Sequence, residues 1–142
     1  MNSAGKTPDA ASAQSDIEEA LLNYETALNA SDTDKVMAVF ALDGVFMAPN
    51  NPSAVGTDAI RAPYHGIFQA VTFDTELTVE EVVQVAPTWA FVRTSSNGHV
   101  TVNAIKQRVP DANPELFIFQ KVDDDAWKIA RHSFATTNPL PQ

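Results

Sequence analysis

The chain contains no cysteine. That absence removes disulfides, thiolate nucleophiles and every metal site built on sulfur. Positive charge is scarce as well: 9 Lys and Arg stand against 18 Asp and Glu, for a net charge of -9. Such a surface repels phosphate backbones and anionic headgroups, so neither nucleic acid nor a membrane is expected as a partner. No stretch is long and apolar enough to span a bilayer. The opening "MNSAGKTPDAASAQSD" lacks the apolar core of a signal peptide. The default expectation is a cytoplasmic protein, with a secreted chain already freed of its signal left open. Glycine-rich phosphate loops and a serine nucleophile elbow are missing too, and no cofactor is expected. The 3 histidines lack i, i+4 spacing, so no zinc site is expected. The acidic run in "VDDDAW" lacks the glycine and distal glutamate of a calcium loop and reads as a solvated turn.

What is present is a chain of 142 residues, 44% hydrophobic, enough for one domain with a buried core. Residues 1–14 are small and polar and read as a flexible tail, leaving 15–142 as the domain. Ser15 and Glu18 form a capping-box pattern. Ile17, Leu21, Tyr24 and Leu28 then recur at helical spacing, to an end near Asn29. Ser31 or Asp32 caps a second helix with Val36, Val39 and Phe40 on its apolar face, stopped by "LDG". Val45 to Ala48 reads as a short strand and "PNNPSAVG" as a loop. Thr57 caps a third helix carrying Ile60, Tyr64, Ile67 and Phe68, with a kink or restart expected at Pro63.

Beyond Val71 the period changes to two. "TFDTELTVEEVVQVA" is a strand whose alternation slips at Glu80–Glu81, which predicts a bulge. "TWAFVRTSS" follows, then Asn97–Gly98 as a turn. "HVTVNAIKQ" is the next strand and "RVPDANP" a loop. "ELFIFQKV" and "AWKIARHSFATT" are the last two strands. Helices first and antiparallel strands after them define an α+β domain with segregated layers.

The stretches "NYETALNASDTDKVMAVFALDGVFMAP", "GTDAIRAPY", "WAFVRTSSNGHVTV" and "ELFIFQKVDDDAWKIARHSFATTNP" resemble the nuclear transport factor 2-like superfamily. That group includes ketosteroid isomerases, polyketide cyclases and small SnoaL-like bacterial proteins. The resemblance runs from about Ser15 to Pro139. It implies a cone: three N-terminal helical segments packed on a strongly curved, mainly antiparallel sheet. It also implies a mostly apolar pocket inside the cone and a homodimer formed through the outer sheet face.

Tyr24 lies on the apolar face of the first helix. In ketosteroid isomerases the tyrosine at the matching place donates to the substrate oxygen; the plainer alternative is a core tyrosine with an internal partner. The general base of those enzymes would fall at Ala48, where no acid stands, and the second acid near Ile118, which is apolar. Steroid isomerisation by that mechanism is therefore not expected. By the family register His132 and Phe134 face the concave side and Arg131 the convex side. His132 and Tyr24 are the candidate catalytic pair, against a His132 that only holds the fold together. Phe40, Met47, Tyr64, Phe68, Phe119 and Phe134 are candidate ligand contacts or core. Arg93 either meets an anionic ligand group or pairs with Glu76 or Glu115 across the sheet.

Three readings follow: a binder of a small apolar or amphipathic molecule, an isomerase, cyclase or dehydratase using His132 and Tyr24, and an interaction module acting through the outer sheet face. The missing isomerase carboxylate favours the first.

Overall fold

The computed structural model describes residues 8–137. Helix α1 spans Pro8–Asn29. It starts well before Ser15, so the inner part of the expected tail is helical; residues 1–7 lie outside the described residues. Proline suits a first helical position, where its missing N–H would have no partner. The alanines that follow are strong helix formers, and Ala13 is buried against the core. Ser15 and Glu18 are thus interior residues and cap nothing. The stripe of Ile17, Leu21, Tyr24 and Leu28 is buried as its spacing requires.

Helix α2, Thr33–Val39, is capped by Asp32, whose Oδ1 accepts from the Lys35 N–H at 3.1 Å. It passes directly into strand β1, Phe40–Met47. "LDG" is therefore strand, not a stop: the register against the last strand shifts between Phe40 and Val45. Gly44 sits in that irregularity, where a Cβ would lie 3.0 Å from the Ala41 carbonyl oxygen. The expected loop contains a short strand β2, Ala54–Val55. Helix α3, Thr57–Ala70, continues through Pro63 without the expected restart. Ile60 and Tyr64, on either side of the proline, are fully buried, and that packing outweighs one lost hydrogen bond. Gly56 occupies the cap position with φ 89°. Thr57 is the first helical residue instead, and its hydroxyl donates to the Leu42 carbonyl.

Four long strands follow: β3 Val71–Ala86, β4 Trp89–Val102, β5 Gln107–Lys121 and β6 Trp127–Phe134. The six strands form one sheet in the order β2-β1-β6-β5-β4-β3. Every pairing is antiparallel except β1 with β6. The sheet curves around the helices as a cone. The predicted bulge is present: the register moves from Val79↔Thr94 to Glu81↔Arg93, leaving Glu80 over.

Three strand readings differ from the structure. "HVTVNAIKQ" is not one strand: β4 ends at Val102 and β5 begins at Gln107, so the turn falls at 103–106. Asn97–Gly98 is not a turn; β4 runs straight through it. The glycine serves a close approach, since a Cβ there would lie 2.1 Å from the Asp74 carbonyl oxygen of β3. "RVPDANP" is not a loop but part of β5. Ala135 N–H donates to the Pro114 carbonyl and Thr137 N–H to that of Ala112. The even-numbered residues of β5 therefore turn their backbone groups away from β4. Pro110 and Pro114 share that parity, so their missing N–H groups leave the β4–β5 ladder whole.

Helix α1 is tied to the outer edge of β3. The Asn29 amide donates to the Thr75 carbonyl at 2.9 Å and accepts from its N–H at 3.0 Å, and Glu25 accepts from Leu77 N–H at 2.7 Å. Asn29→Ala is expected to cost about 2 kcal/mol in urea unfolding, because it strands two half-buried backbone groups. A loss near zero would mean that water replaces the amide. Among the described residues no helix is long and apolar enough to cross a membrane.

Candidate functional site

His132 enters the cone from β6, paired with Phe46 of β1 on one side and Phe117 of β5 on the other. Its ring stacks on Phe117 at 4.1 Å between centroids and is 1% exposed. Between Ile118 and Phe119 the β5–β6 register shifts, which makes Ala130 an extra residue on β6. Ile129 therefore shares the concave face with His132, which simple alternation does not predict. Arg131 is only partly buried, and its guanidinium donates to the Ala130 carbonyl.

Both ring nitrogens of His132 have partners. Nε2 lies 3.3 Å from Glu115 Oε2, and Nδ1 lies 3.4 Å from the Tyr64 hydroxyl. The Tyr24 and Tyr64 hydroxyls are 2.6 Å apart. Glu115 Oε1 accepts from the Thr94 hydroxyl at 2.9 Å. A carboxylate only accepts, so Nε2 carries the proton and a neutral ring offers Nδ1 as acceptor. Tyr64 then donates to Nδ1, and Tyr24 donates to Tyr64. The result is one directed chain, Tyr24 to Tyr64 to His132 to Glu115. The two contacts of the imidazole are at the long end of hydrogen-bond range. Among the described residues no buried side-chain nitrogen or oxygen lacks a partner.

Burial pushes the Tyr24 phenol well above its ordinary value, with Tyr64 and the negative Glu115 adding to it. Burial likewise raises Tyr64, and Glu115 adds, while the bond from Tyr24 opposes. Both phenols stay protonated as donors. Unfolded, each ionises near 10.0; folded, each holds its proton to higher pH. Their contribution to stability is full below pH 10 and is lost as the pH rises beyond it. Tyr24→Phe should therefore show a shallower fall in melting temperature above pH 10 than the parent chain. An equally steep fall would show that the phenol does not drive it.

These groups line a cavity of about 50 Å³. Leu28, Phe46, Ile67, Phe73 and Phe134 form its apolar side; Thr75, Ser96, Asp111, Asn113 and Glu115 form its polar side with His132 and the tyrosines. Asp111, Asn113 and Glu115 come from one face of β5, on which Phe117 and Phe119 follow at alternate positions. Asn113 Nδ2 donates to Ser96 Oγ at 3.1 Å and to Asp111 Oδ2 at 2.9 Å. The volume suits a few water-sized groups, so a larger ligand must displace the rim. Wider hollows on the surface, such as the one of about 710 Å³ between Ala30 and His65, are open and carry no comparable network. Among the described residues no group of three or more His, Cys, Asp or Glu side chains is placed to hold a metal ion.

Of the residues singled out from sequence, Tyr24, Tyr64, His132 and Phe134 meet at the cavity. Phe40 and Phe119 are buried behind it, against Tyr64 and Phe117 respectively. Phe68 backs Tyr64 and Phe73 without lining the space. Met47 does not face inward: it is 37% exposed, and its neighbour Phe46 holds the inner place, with its ring 4.6 Å from Tyr64. Arg93 is outside as well. The inward residues of β4 are Ala90, Val92, Thr94 and Ser96, so Arg93 points outward, away from the cavity, and pairs with Glu81 and not with Glu76 or Glu115. Arg93→Ala should leave the affinity for any cavity ligand unchanged in calorimetry; a weakened ligand would place the guanidinium in the site after all. Sequence reasoning missed Phe46, Phe73, Ser96, Asp111, Asn113 and Glu115 as lining. The alternation from Asp111 to Phe119 was the available signal, and Pro110 and Pro114 masked it.

The sequence pattern of the SnoaL-like domain matches residues 21–132. A ketosteroid isomerase-like protein from Erwinia carotovora atroseptica superposes with a TM-score of 0.84 at 38% identity, over 88% of this chain and 96% of that one. A scytalone dehydratase-like protein from Novosphingobium aromaticivorans gives 0.78 at 22% identity, over 94% and 89%. A nuclear transport factor 2-like superfamily protein from Salmonella enterica gives 0.80 at 13% identity, over 93% and 96%. The last two share the fold. No curated protein matches.

Proposed function

The chain belongs to the SnoaL-like domain family within the nuclear transport factor 2-like superfamily, and from that premise we propose that it binds a small molecule inside the cone and acts on it by acid–base chemistry. The observation that carries this reading is His132, held between Glu115 and Tyr64 at the wall of the cavity. Nδ1 holds the one imidazole lone pair. A ligand hydroxyl, or a C–H beside a carbonyl, takes the place of Tyr64 on Nδ1 and gives up its proton there. Glu115 steadies the imidazolium that forms. Tyr64, released from Nδ1 and backed by Tyr24, donates to the ligand oxygen that gains charge. Glu115 with His132 thus fills the role left empty at Ala48, and the reaction class is isomerisation, cyclisation or dehydration.

The experiment is recovery of the co-purified ligand by native mass spectrometry, followed by incubation of the complex in D2O. Deuterium entering a carbon position of the ligand in the parent protein but not in His132→Gln supports the reading, since hydroxyl hydrogens exchange without help. A ligand recovered without exchange from both overturns it. That second outcome is the signature of a noncatalytic binder, a reading favoured by the small cavity and its internally partnered polar groups.

The same proposal includes a second copy of the chain on the outer sheet face, where Leu116 is 44% exposed and Phe91 half-buried. Light scattering that reports a monomer at micromolar concentration would count against it.

A further inference from the structure

We propose that the cavity receives the hydrogen-bond-donor end of its ligand, a hydroxyl or ammonium group, that it rejects carboxylate and phosphate ends, and that Asp111 sets this selection. The inference rests on the binding half of the reading above and does not need catalysis.

It follows from an inventory of donors and acceptors. Both N–H bonds of Asn113 are committed, one to Ser96 and one to Asp111. The Thr94 hydroxyl is committed to Glu115, and that of Thr75 to the Asn97 carbonyl. The imidazole N–H is committed to Glu115, and the two phenols to Nδ1 and to each other. As long as Tyr64 keeps its bond to Nδ1, only the Ser96 hydroxyl among the described lining residues keeps a proton to offer. The acceptors are not exhausted: Asp111 retains an oxygen beyond its bond to Asn113, Asn113 retains its carbonyl oxygen, and Glu115 retains lone pairs. No lysine or arginine is among the residues that line the space. A ligand must therefore bring donors of its own. An anionic end would meet two carboxylates from one strand face and a single hydroxyl in return, and would leave its charge unpaired. Asp111 is the selector because Glu115 already serves His132 and Thr94, whereas among the described residues the side chain of Asp111 accepts from Asn113 alone.

The test uses methanol, methylammonium and formate, near in size and different in charge, titrated at neutral pH. Binding is read from the backbone amide shifts of β5. Methanol and methylammonium should give saturating shifts around Asp111 and Glu115, with formate at least about tenfold weaker. In Asp111→Asn the penalty on formate should shrink by about tenfold. Formate binding as tightly as methanol in the parent protein overturns the proposal, as does the absence of any saturating shift. An unchanged formate penalty in Asp111→Asn overturns the role of Asp111. If that variant does not fold, the parent panel still decides the selection. Repeating the panel in His132→Gln separates the two claims. Selection that persists there without deuterium exchange in the parent means the catalytic reading has failed and this one has not. Exchange in the parent with no selection means the reverse.

Discussion

His132→Gln is expected to slow proton exchange into the bound ligand by about 100-fold or more while the protein stays folded. Glutamine is the informative choice because its amide can donate to Glu115 and accept from Tyr64, so the buried partners keep a bond. What it cannot do is take up a proton. The stability cost should be modest, on the order of 1 kcal/mol, mainly from the lost ring stack on Phe117. His132→Ala is different: it strands the Glu115 carboxylate and the Tyr64 hydroxyl together, each at about 1–3 kcal/mol. If exchange in the glutamine variant matches the parent while the alanine variant melts early, His132 is a structural residue. Glu115→Gln should also slow exchange, since the imidazolium loses the negative partner on Nε2.

The second large effect concerns packing of the sheet. Gly98→Ala should destabilise the fold by on the order of 3 kcal/mol or more. The new methyl would lie 2.1 Å from the Asp74 carbonyl oxygen and 2.9 Å from Thr75 Cα, both backbone atoms that cannot swing aside. β3 would have to move away from β4, and the Asn29 clamp on Thr75 would move with it. Gly66→Ala is the control. It lies within α3 with nothing within 4 Å of the added Cβ, and should gain roughly 0.5–1 kcal/mol from helix propensity. Denaturant midpoints measure both. Equal midpoints for the two variants would show that the sheet yields at Gly98 more readily than its geometry implies.

The parts of the fold legible in sequence are those where one regular pattern ran uninterrupted. The stripe from Ile17 to Leu28, the Asp32 cap and the slip at Glu80–Glu81 each have a local cause and each is present. Errors fell where a residue had two physical uses. Asn97–Gly98 has turn chemistry, but here glycine is needed for the approach of β3. The prolines of "RVPDANP" have loop chemistry, but both sit where β5 needs no donor toward β4. That second ambiguity hid half of the site, because Asp111 and Asn113 lie in the stretch taken as a loop and Glu115 directly follows it. Phe46 was lost to a one-residue offset: in a strand, choosing Met47 over its neighbour selects the opposite face. The other half was legible through family register, which oriented His132 and Phe134 inward. The number of residues between Tyr24 and Glu115 carries no hint that they share a wall.

The parallel pairing of β1 with β6 sets the order in which the protein can assemble. β3, β4, β5 and β6 are joined by short turns, and each can pair with its neighbour as soon as it exists. β1 must wait for β6, more than half the chain away, and such distant pairings form late because the intervening loop has to close first. Phe46 meets His132 only at that closure. A nascent chain still lacking β6 can own three helices and most of the sheet, yet its tyrosines have no imidazole to serve. Acquisition of the site therefore waits on the pairing of β1 with β6.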